Sequence, residues 1–158
     1  MSIIASILTK DVFFIATDTL CCTTDKDGKM SFPAQLRSLR SKISYHPHLK
    51  CCVVGLGSGE MAEMHRQFIE SIFCQDVSEL YNRTITEFVD SVDISDPVLH
   101  IPGDNLIGLL GIFGFSEVEQ KMVAYTVIVN KDGKHKFTKH ETNPEGGNTT
   151  FMNPRVDP

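Results

Sequence analysis

The sequence lacks long hydrophobic runs, an excess of basic residues and any internal repeat, and each absence narrows the classes of function. No apolar stretch reaches the roughly 18 residues that a membrane-spanning helix requires, so no membrane partner is expected. Acidic and basic residues are interspersed at a net charge of -5, which disfavours a nucleic-acid surface. The N-terminus has no basic segment followed by a small-residue cleavage site, so we expect no secretory signal and a cytoplasmic location.

Disulfides and a bound metal ion are equally unexpected, although the chain contains five cysteines. Four of them form the adjacent pairs Cys21-Cys22 and Cys51-Cys52. Neighbours in a strand point to opposite faces, so such a pair neither bonds to itself easily nor shares a metal ion. Among the histidines only His46 and His48 lie close together, without an acidic or cysteine partner at ligand spacing. We therefore expect reduced thiols in the core and no metal site.

The order of hydrophobic patterns predicts the fold class. At 158 residues with 41 % hydrophobic residues, the chain is long enough for one domain with a real core. Strand-like runs come first and last, and two helical patterns lie between them, which predicts an α+β fold rather than alternating βαβ units. We place the domain at residues 1–142. Because Asn, Gly and Pro dominate the segment from 143 to 158, we expect an irregular tail there.

Two amphipathic segments predict the helices. Along residues 60–74, apolar residues recur at spacings of three and four, which predicts one buried face: Met61, Met64, Phe68 and Ile72. A second helix is predicted over residues 77–92, with Asp76 as its N-cap. The expected core includes Ile4, Val12, Phe14, Val53, Met64, Phe68, Ile85, Leu109 and Val127.

The first eighteen residues carry the clearest candidate for chemistry. Two strand-like runs joined by a turn at residues 9–11 predict a hairpin, and the two ends of a hairpin lie side by side. Ser2 and Asp18 are therefore expected to be neighbours. Removal of Met1 would give Ser2 a free α-amino group with a pKa of about 7.7–8.0, which can accept the hydroxyl proton near neutral pH. The alternative is that Ser2 is only a terminal residue and Asp18 only ends a strand.

A lysine near the amine would complete such a site. Its positive charge would lower the pKa of the amine by like-charge repulsion. Lys42 is the first candidate and Lys50 the second.

A glycine-rich turn, Gly55-Leu56-Gly57-Ser58-Gly59, lies between a strand and a helix. Glycines at such a place let backbone N–H groups approach a ligand, which indicates an oxyanion hole or a phosphate cradle. The segment lacks the full G-x-G-x-x-G pattern, and a second helix follows where a nucleotide-binding unit would have a strand with an acidic end. The alternative is a tight turn that packs the helix on the sheet.

Taken in order, these segments resemble the proteasome β-subunit family, particularly its bacterial ATPase-partnered relative. The family opens with a nucleophilic Thr or Ser, then a strand, a turn, and a strand ending in a small residue and Asp, like Ile15-Ala16-Thr17-Asp18. Its Lys-Ile pair before a short strand is similar to Lys42-Ile43-Ser44-Tyr45. The family glycine whose N–H lines the oxyanion hole corresponds to Gly55. The resemblance covers residues 2–140.

The resemblance implies an N-terminal-nucleophile hydrolase-like sandwich of two antiparallel β-sheets with two helices on one face, lacking the family's C-terminal helix pair. It implies a peptidase or amidase with Ser2 as nucleophile, Asp18 and Lys42 tuning its amine, and Gly55 donating to the oxyanion. No cofactor is needed. It further implies self-association into a ring or another homo-oligomer, with an ATPase unfoldase as partner.

Two departures keep a second hypothesis open. The stretch between Asp18 and Lys42 is longer than in the family, so Lys50, Arg37 or Arg40 could take the place of Lys42. The polar residues that the family's last helices contribute to the site are missing. The second hypothesis is therefore a catalytically silent proteasome-like subunit, or a structural or assembly protein, that retains only the scaffold.

Overall fold

Strand-forming runs at both ends and in the middle of the chain build two antiparallel β-sheets. The computed structural model describes residues 4–17, 23–24, 30–31, 42–101, 103–141 and 148–152. The strands are β1 (Ile4–Leu8), β2 (Phe13–Thr17), β3 (Thr23–Thr24), β4 (Met30–Ser31), β5 (Ile43–His46), β6 (Cys51–Gly57), β7 (Leu106–Ser116), β8 (Lys121–Asn130), β9 (Lys136–His140) and β10 (Asn148–Met152). One sheet has the order β10-β1-β2 and the other β5-β6-β7-β8-β9, while β3 and β4 form a short separate pair.

The helical segments lie between β6 and β7. They are α1 (Gly59–Ser71), α2 (Val77–Arg83) and α3 (Val89–Ser91), with a π-helical turn, Thr84–Phe88, joining α2 to α3. Short 3₁₀ turns occur at Pro47–Leu49 and Pro97–Leu99. The predicted cap is confirmed, because the Asp76 carboxylate accepts the Ser78 N–H at 2.8 Å. The predicted second helix is confirmed as well, with the π-helical turn as a feature that the apolar spacing did not reveal.

The five-stranded sheet is covered on both faces, which explains its nearly continuous hydrophobic sequences. Alternate residues of β6 point to opposite sides. Cys51 and Val53 join the cluster beneath α1 and α2, whereas Val54 and Leu56 join the cluster beneath the three-stranded sheet. Ten of the eleven β7 residues are buried for the same reason. The molecule is thus a three-layer structure of sheet, sheet and helices.

The three-stranded sheet uses one face for this packing. Ile4 and Leu8 of β1 are 0 % and 3 % exposed and lie in the cluster with Leu109 and Phe113 of β7. The predicted hairpin is confirmed, with Ile4 opposite Thr17 and the turn closed by hydrogen bonds between Thr9 and Val12. The coarse prediction of an α+β fold with two antiparallel sheets and two main helices is therefore confirmed.

Three predicted core residues are wrong. Val12 and Phe14 are 43 % and 64 % exposed, because they lie on the outer side of the hairpin rather than on the side facing β7. Met64 is 36 % exposed, since the buried side of α1 is formed by Met61, His65 and Ile69. The buried side of α1 differs from the predicted one because it includes His65. A tertiary hydrogen bond, described below, satisfies the ring nitrogen of this buried histidine.

The C-terminal segment differs from the expected irregular tail. Residues 148–152 form β10, which pairs antiparallel with β1 from Ile4 opposite Met152 to Leu8 opposite Asn148. The backbone of β1 provides the partner, so a sequence with little apolar alternation still becomes a strand. Among the residues that the structure describes, no helix combines the length and the apolar character needed to cross a membrane.

Close packing of α1 on β6 generates the first prediction. A Cβ added to Gly55 would lie 2.7 Å from the Cβ of Ala62, so Gly55→Ala should lower the free energy of unfolding by about 1–3 kcal/mol through overpacking. Urea denaturation followed by circular dichroism measures this change.

Gly59→Ala is the matched control, because no atom lies within 4 Å of the Cβ that it adds in the first turn of α1. It should leave stability unchanged or raise it by up to about 1 kcal/mol. Equal losses in the two variants would contradict the packing role of Gly55.

Candidate functional site

Two of the four candidate catalytic residues, Ser2 and Asp18, lie outside the described residues, so their placement stays a prediction. The nearest described residues along the chain are Ile4 and Thr17, which lie directly opposite each other in the β1–β2 pairing.

Lys42 and Gly55, the other two candidates, are brought together. The Gly55 N–H donates to the Lys42 carbonyl oxygen at 3.2 Å, where the chain enters β5 beside β6. Both residues are half-buried. Residues adjacent to them in sequence, namely Ile43, Val54 and Leu56, belong to the same apolar cluster as Ile4. That cluster spans the sheet from β5 to β8, and Ile4 is one member of it.

The alternative lysine is placed elsewhere. Lys50 precedes β6, and its ammonium pairs with the Glu117 carboxylate while its carbonyl accepts the Phe115 N–H at 3.2 Å. Gly55 is five residue steps beyond Lys50 along extended chain, which corresponds to about 16 Å. The structure thus brings Lys42, and not Lys50, to the glycine turn. Arg37 and Arg40 fall outside the described residues.

The glycine turn has a clear structural function. Gly57 has a φ of +95°, and a Cβ there would lie 2.6 Å from the Ile107 carbonyl oxygen, so only glycine fits. The Ser58 N–H donates to that same oxygen at 2.9 Å, and the Ser58 hydroxyl caps α1 by accepting the Met61 N–H. The turn therefore connects β6 to α1, and the first residues of α1, Gly59 and Glu60, are exposed.

The N–H groups of those first α1 residues follow the predicted oxyanion donor, Gly55, in the same turn. The Gly55 N–H is already engaged by Lys42, whereas the N–H groups of Gly59 and Glu60 make no hydrogen bond within the part of the chain that the structure describes. Helix N-termini carry partial positive charge and leave such groups unpaired. The pattern Gly57-Ser58-Gly59 signals this cap in the sequence, although the resemblance implied Gly55 as the oxyanion donor.

A second polar cluster lies at the other end of the central sheet and was missed in the sequence. The Asp76 carboxylate is 7 % exposed and accepts hydrogen bonds from the Ser78 N–H at 2.8 Å, the Ser116 hydroxyl at 3.2 Å and the Glu117 N–H at 2.7 Å. Burial alone would raise the pKa of Asp76, but these hydrogen bonds outweigh it and the pKa lies below its usual value. The cluster ties α2 to the end of β7.

The Asp76 cluster extends through Tyr125 to the ion pair between Glu119 and Lys139. The Ser78 hydroxyl and the Tyr125 hydroxyl are 2.8 Å apart, and the Tyr125 ring stacks on Tyr81 with centroids 4.1 Å apart. Glu119 pairs with Lys139 at 2.6 Å, which lowers the pKa of the Glu119 carboxyl. Burial raises the pKa of Tyr125, so its hydroxyl stays protonated near neutral pH. The arrangement holds elements together and offers no activated nucleophile.

His65 forms a third polar feature, inside the helical layer. It is 1 % exposed, and its Nε2 lies 3.0 Å from the Thr84 hydroxyl, which itself donates to the Leu80 carbonyl at 2.8 Å. Because the hydroxyl proton is used there, His65 must donate from Nε2. Burial, and secondarily His46, lowers the pKa of His65 to about 3, so the ring is neutral. This bond joins α1 to the first residue of the π-helical turn.

Within the described ranges, no three histidine, cysteine, aspartate or glutamate side chains lie so that they could hold a metal ion. Cys51, Cys52 and Cys74 are free thiols, and burial raises the pKa of Cys51 to about 12. Neither a protein-family model nor a curated protein matches this chain. What the chain does must therefore follow from its own residues.

The buried aspartate generates the second prediction. Asp76→Asn keeps a capping oxygen for Ser78 but places an amide donor against the Glu117 N–H, so it should cost about 1–3 kcal/mol of stability. The urea midpoint should fall while the slope of the transition stays constant. Asp96→Asn is the control, because among the described residues the Asp96 carboxylate accepts the Val98 N–H alone and asparagine caps equally well. A similar loss in both variants would argue against the network.

The neutral His65 generates the third prediction. The unfolded chain takes up a proton near the ordinary histidine pKa of 6.5, whereas folded His65 does so only near pH 3. Stability is therefore fully present above about pH 6.5 and falls by up to about 1.4 kcal/mol per pH unit as pH decreases towards 3. Denaturation at a series of pH values measures this slope.

His65→Gln should make that slope shallower, although not zero, since burial also lowers the pKa of His46 and of His140. Val98→Ala, which changes a 64 % exposed residue without a titratable group, should leave the slope as it is. An unchanged slope in His65→Gln would show that His65 is not the group responsible.

Proposed function

We propose that this chain is a proteasome-like N-terminal-nucleophile peptidase or amidase, in which Ser2 becomes the nucleophile once Met1 has been removed. The observation that carries the proposal is the packing of the start of β1, at Ile4, on the same apolar cluster as Ile43, Val54 and Leu56. In this proposal the N-terminal residues lie beside Lys42 and the glycine turn.

The chemistry assigned to each group follows from its type. The α-amine of Ser2 takes the hydroxyl proton, and the hydroxyl oxygen attacks the carbonyl carbon of the scissile amide. Asp18 orients the resulting ammonium, and the charge of Lys42 keeps the amine pKa low enough for it to act as a base. The ammonium then returns a proton to the leaving amine, and water hydrolyses the acyl ester. No cofactor takes part.

The developing negative charge needs backbone donors. Gly55 is the donor that the resemblance implies, and its N–H serves only if its hydrogen bond to the Lys42 carbonyl opens. The N–H groups of Gly59 and Glu60, at the positive end of α1, are the second source of donors. The proposal also includes a cytoplasmic location, association of copies, and an ATPase unfoldase that delivers substrate.

A specific observation favours the second candidate, a catalytically silent scaffold. The Gly55 N–H is satisfied within the sheet, and the contact of Gly55 with Ala62 already explains why no side chain is present there. A glycine retained for packing would remain after catalysis had been lost.

The test is the chemical state of the N-terminus and its reactivity. Mass spectrometry of the protein purified from its native host should show Met1 removed, and a peptide epoxyketone or boronate should label Ser2. Ser2→Ala should abolish the labelling, whereas Ser2→Thr should retain it because threonine also presents a hydroxyl beside the amine.

Ser95→Ala is the control, since Ser95 is an exposed serine that bonds only to nearby Asp93. It should leave labelling unchanged. An intact Met1, or labelling that persists in Ser2→Ala, would contradict the peptidase proposal. The catalytically silent scaffold would then be the remaining candidate.

A further inference from the structure

The edges of the two sheets are protected unequally. Exposed sheet edges invite pairing with another chain, and proteins commonly blunt them with lysine, proline or very short strands. In the five-stranded sheet, β9 carries Lys136 and Lys139, and β5 has only four residues before Pro47. In the three-stranded sheet, β2 (Phe13–Thr17) has no charge, no proline and no bulge. Among the described residues it pairs with β1 alone.

The side of the β1–β2 hairpin that faces away from β7 is apolar. Ile7 and Phe14 are opposite each other in the register and are 43 % and 64 % exposed. Ala5 and Ala16 form the next pair on that side. Val12 continues the apolar surface at the turn and is 43 % exposed. Three of the large exposed hydrophobic side chains therefore lie together beside the unprotected edge.

The inner side of β2 is also incompletely covered. Ile4 and Leu8 of β1 are buried, whereas Phe13 and Ile15 of β2 are only partly buried although they pack on the same cluster. An additional strand beside β2 would cover the uncovered flank of these two side chains and pair the free backbone groups of the edge at the same time.

We propose that a second copy of this chain supplies that strand, pairing antiparallel along β2 with the two-fold axis at Ile15. In this register Phe14 lies opposite the partner subunit's Ala16, so a large side chain meets a small one twice. An isologous interface brings the same strand of both copies together. Because β2 contains no charged residue, its pairing with a second copy places no like charges opposite each other. The two three-stranded sheets become one continuous six-stranded sheet. This interface stands independently of the proposed peptidase chemistry.

The test is the association state of the full chain, measured by sedimentation equilibrium over a range of concentrations. Wild-type protein should form a dimer. Ala16→Lys places a charge on the exposed side of the edge without removing a contact within the subunit, and it should weaken dimerisation by at least about tenfold. Ala16→Ser should keep the dimer. Val118→Lys, which adds the same charge at an 80 % exposed turn residue, should keep it as well.

Circular dichroism of each variant confirms that the fold is intact. A wild-type chain that stays monomeric at all concentrations overturns the interface, and so does an assembly of any size that is equally stable in Ala16→Lys. Ser2→Ala should remain dimeric. The dimer and the nucleophile can therefore fail separately.

Discussion

The five-stranded sheet needs cover on both faces, and the other layers are arranged around that need. Its strands β6, β7 and β8 carry apolar side chains on both sides, so both faces of the sheet must be shielded from water. The helices exclude it on one face and the β1–β2 hairpin excludes it on the other. Gly55 lets α1 lie close to β6, because a Cβ at this position would collide with the Ala62 side chain. The β1–β2 hairpin thus lies on the face of the sheet opposite the helices.

Buried polar side chains are hydrogen-bonded throughout the part of the chain that the structure describes. Asp76 is kept ionised by three donors where α2 meets β7, and neutral His65 is held by Thr84 within the helical layer. Buried groups of this kind cost stability unless they are paired, so both define how the helices sit on the sheet. The start of α1 differs from them, because Gly59 and Glu60 are exposed and their N–H groups make no hydrogen bond within the described residues. This difference is why chemistry is proposed at that end of the molecule.

Local sequence patterns predicted the secondary-structure elements better than they predicted which side of each element is buried. The hairpin, the N-cap Asp76 and both main helices were predictable, because turn residues, caps and apolar spacing act within a few residues of one another. The buried side of α1 was not predictable, because Met61, His65 and Ile69 include a histidine whose burial depends on Thr84, nineteen residues away. Strand β10 was missed since its partner is β1, at the opposite end of the sequence. In the candidate site, the proximity of Lys42 to Gly55 agrees with the order of the segments, whereas the engagement of the Gly55 N–H depends on the pairing of β5 with β6.

By itself, the sequence determined the α+β class, the opening hairpin, and the glycine turn that precedes α1, since each depends on interactions between near neighbours. Only the tertiary structure decided which lysine lies at that turn, which side of β2 remains exposed, and which buried polar groups are satisfied. Those outcomes require residues far apart in the chain to share a surface. Their energies arise from packing and from desolvation in that surface, and no local pattern contains them.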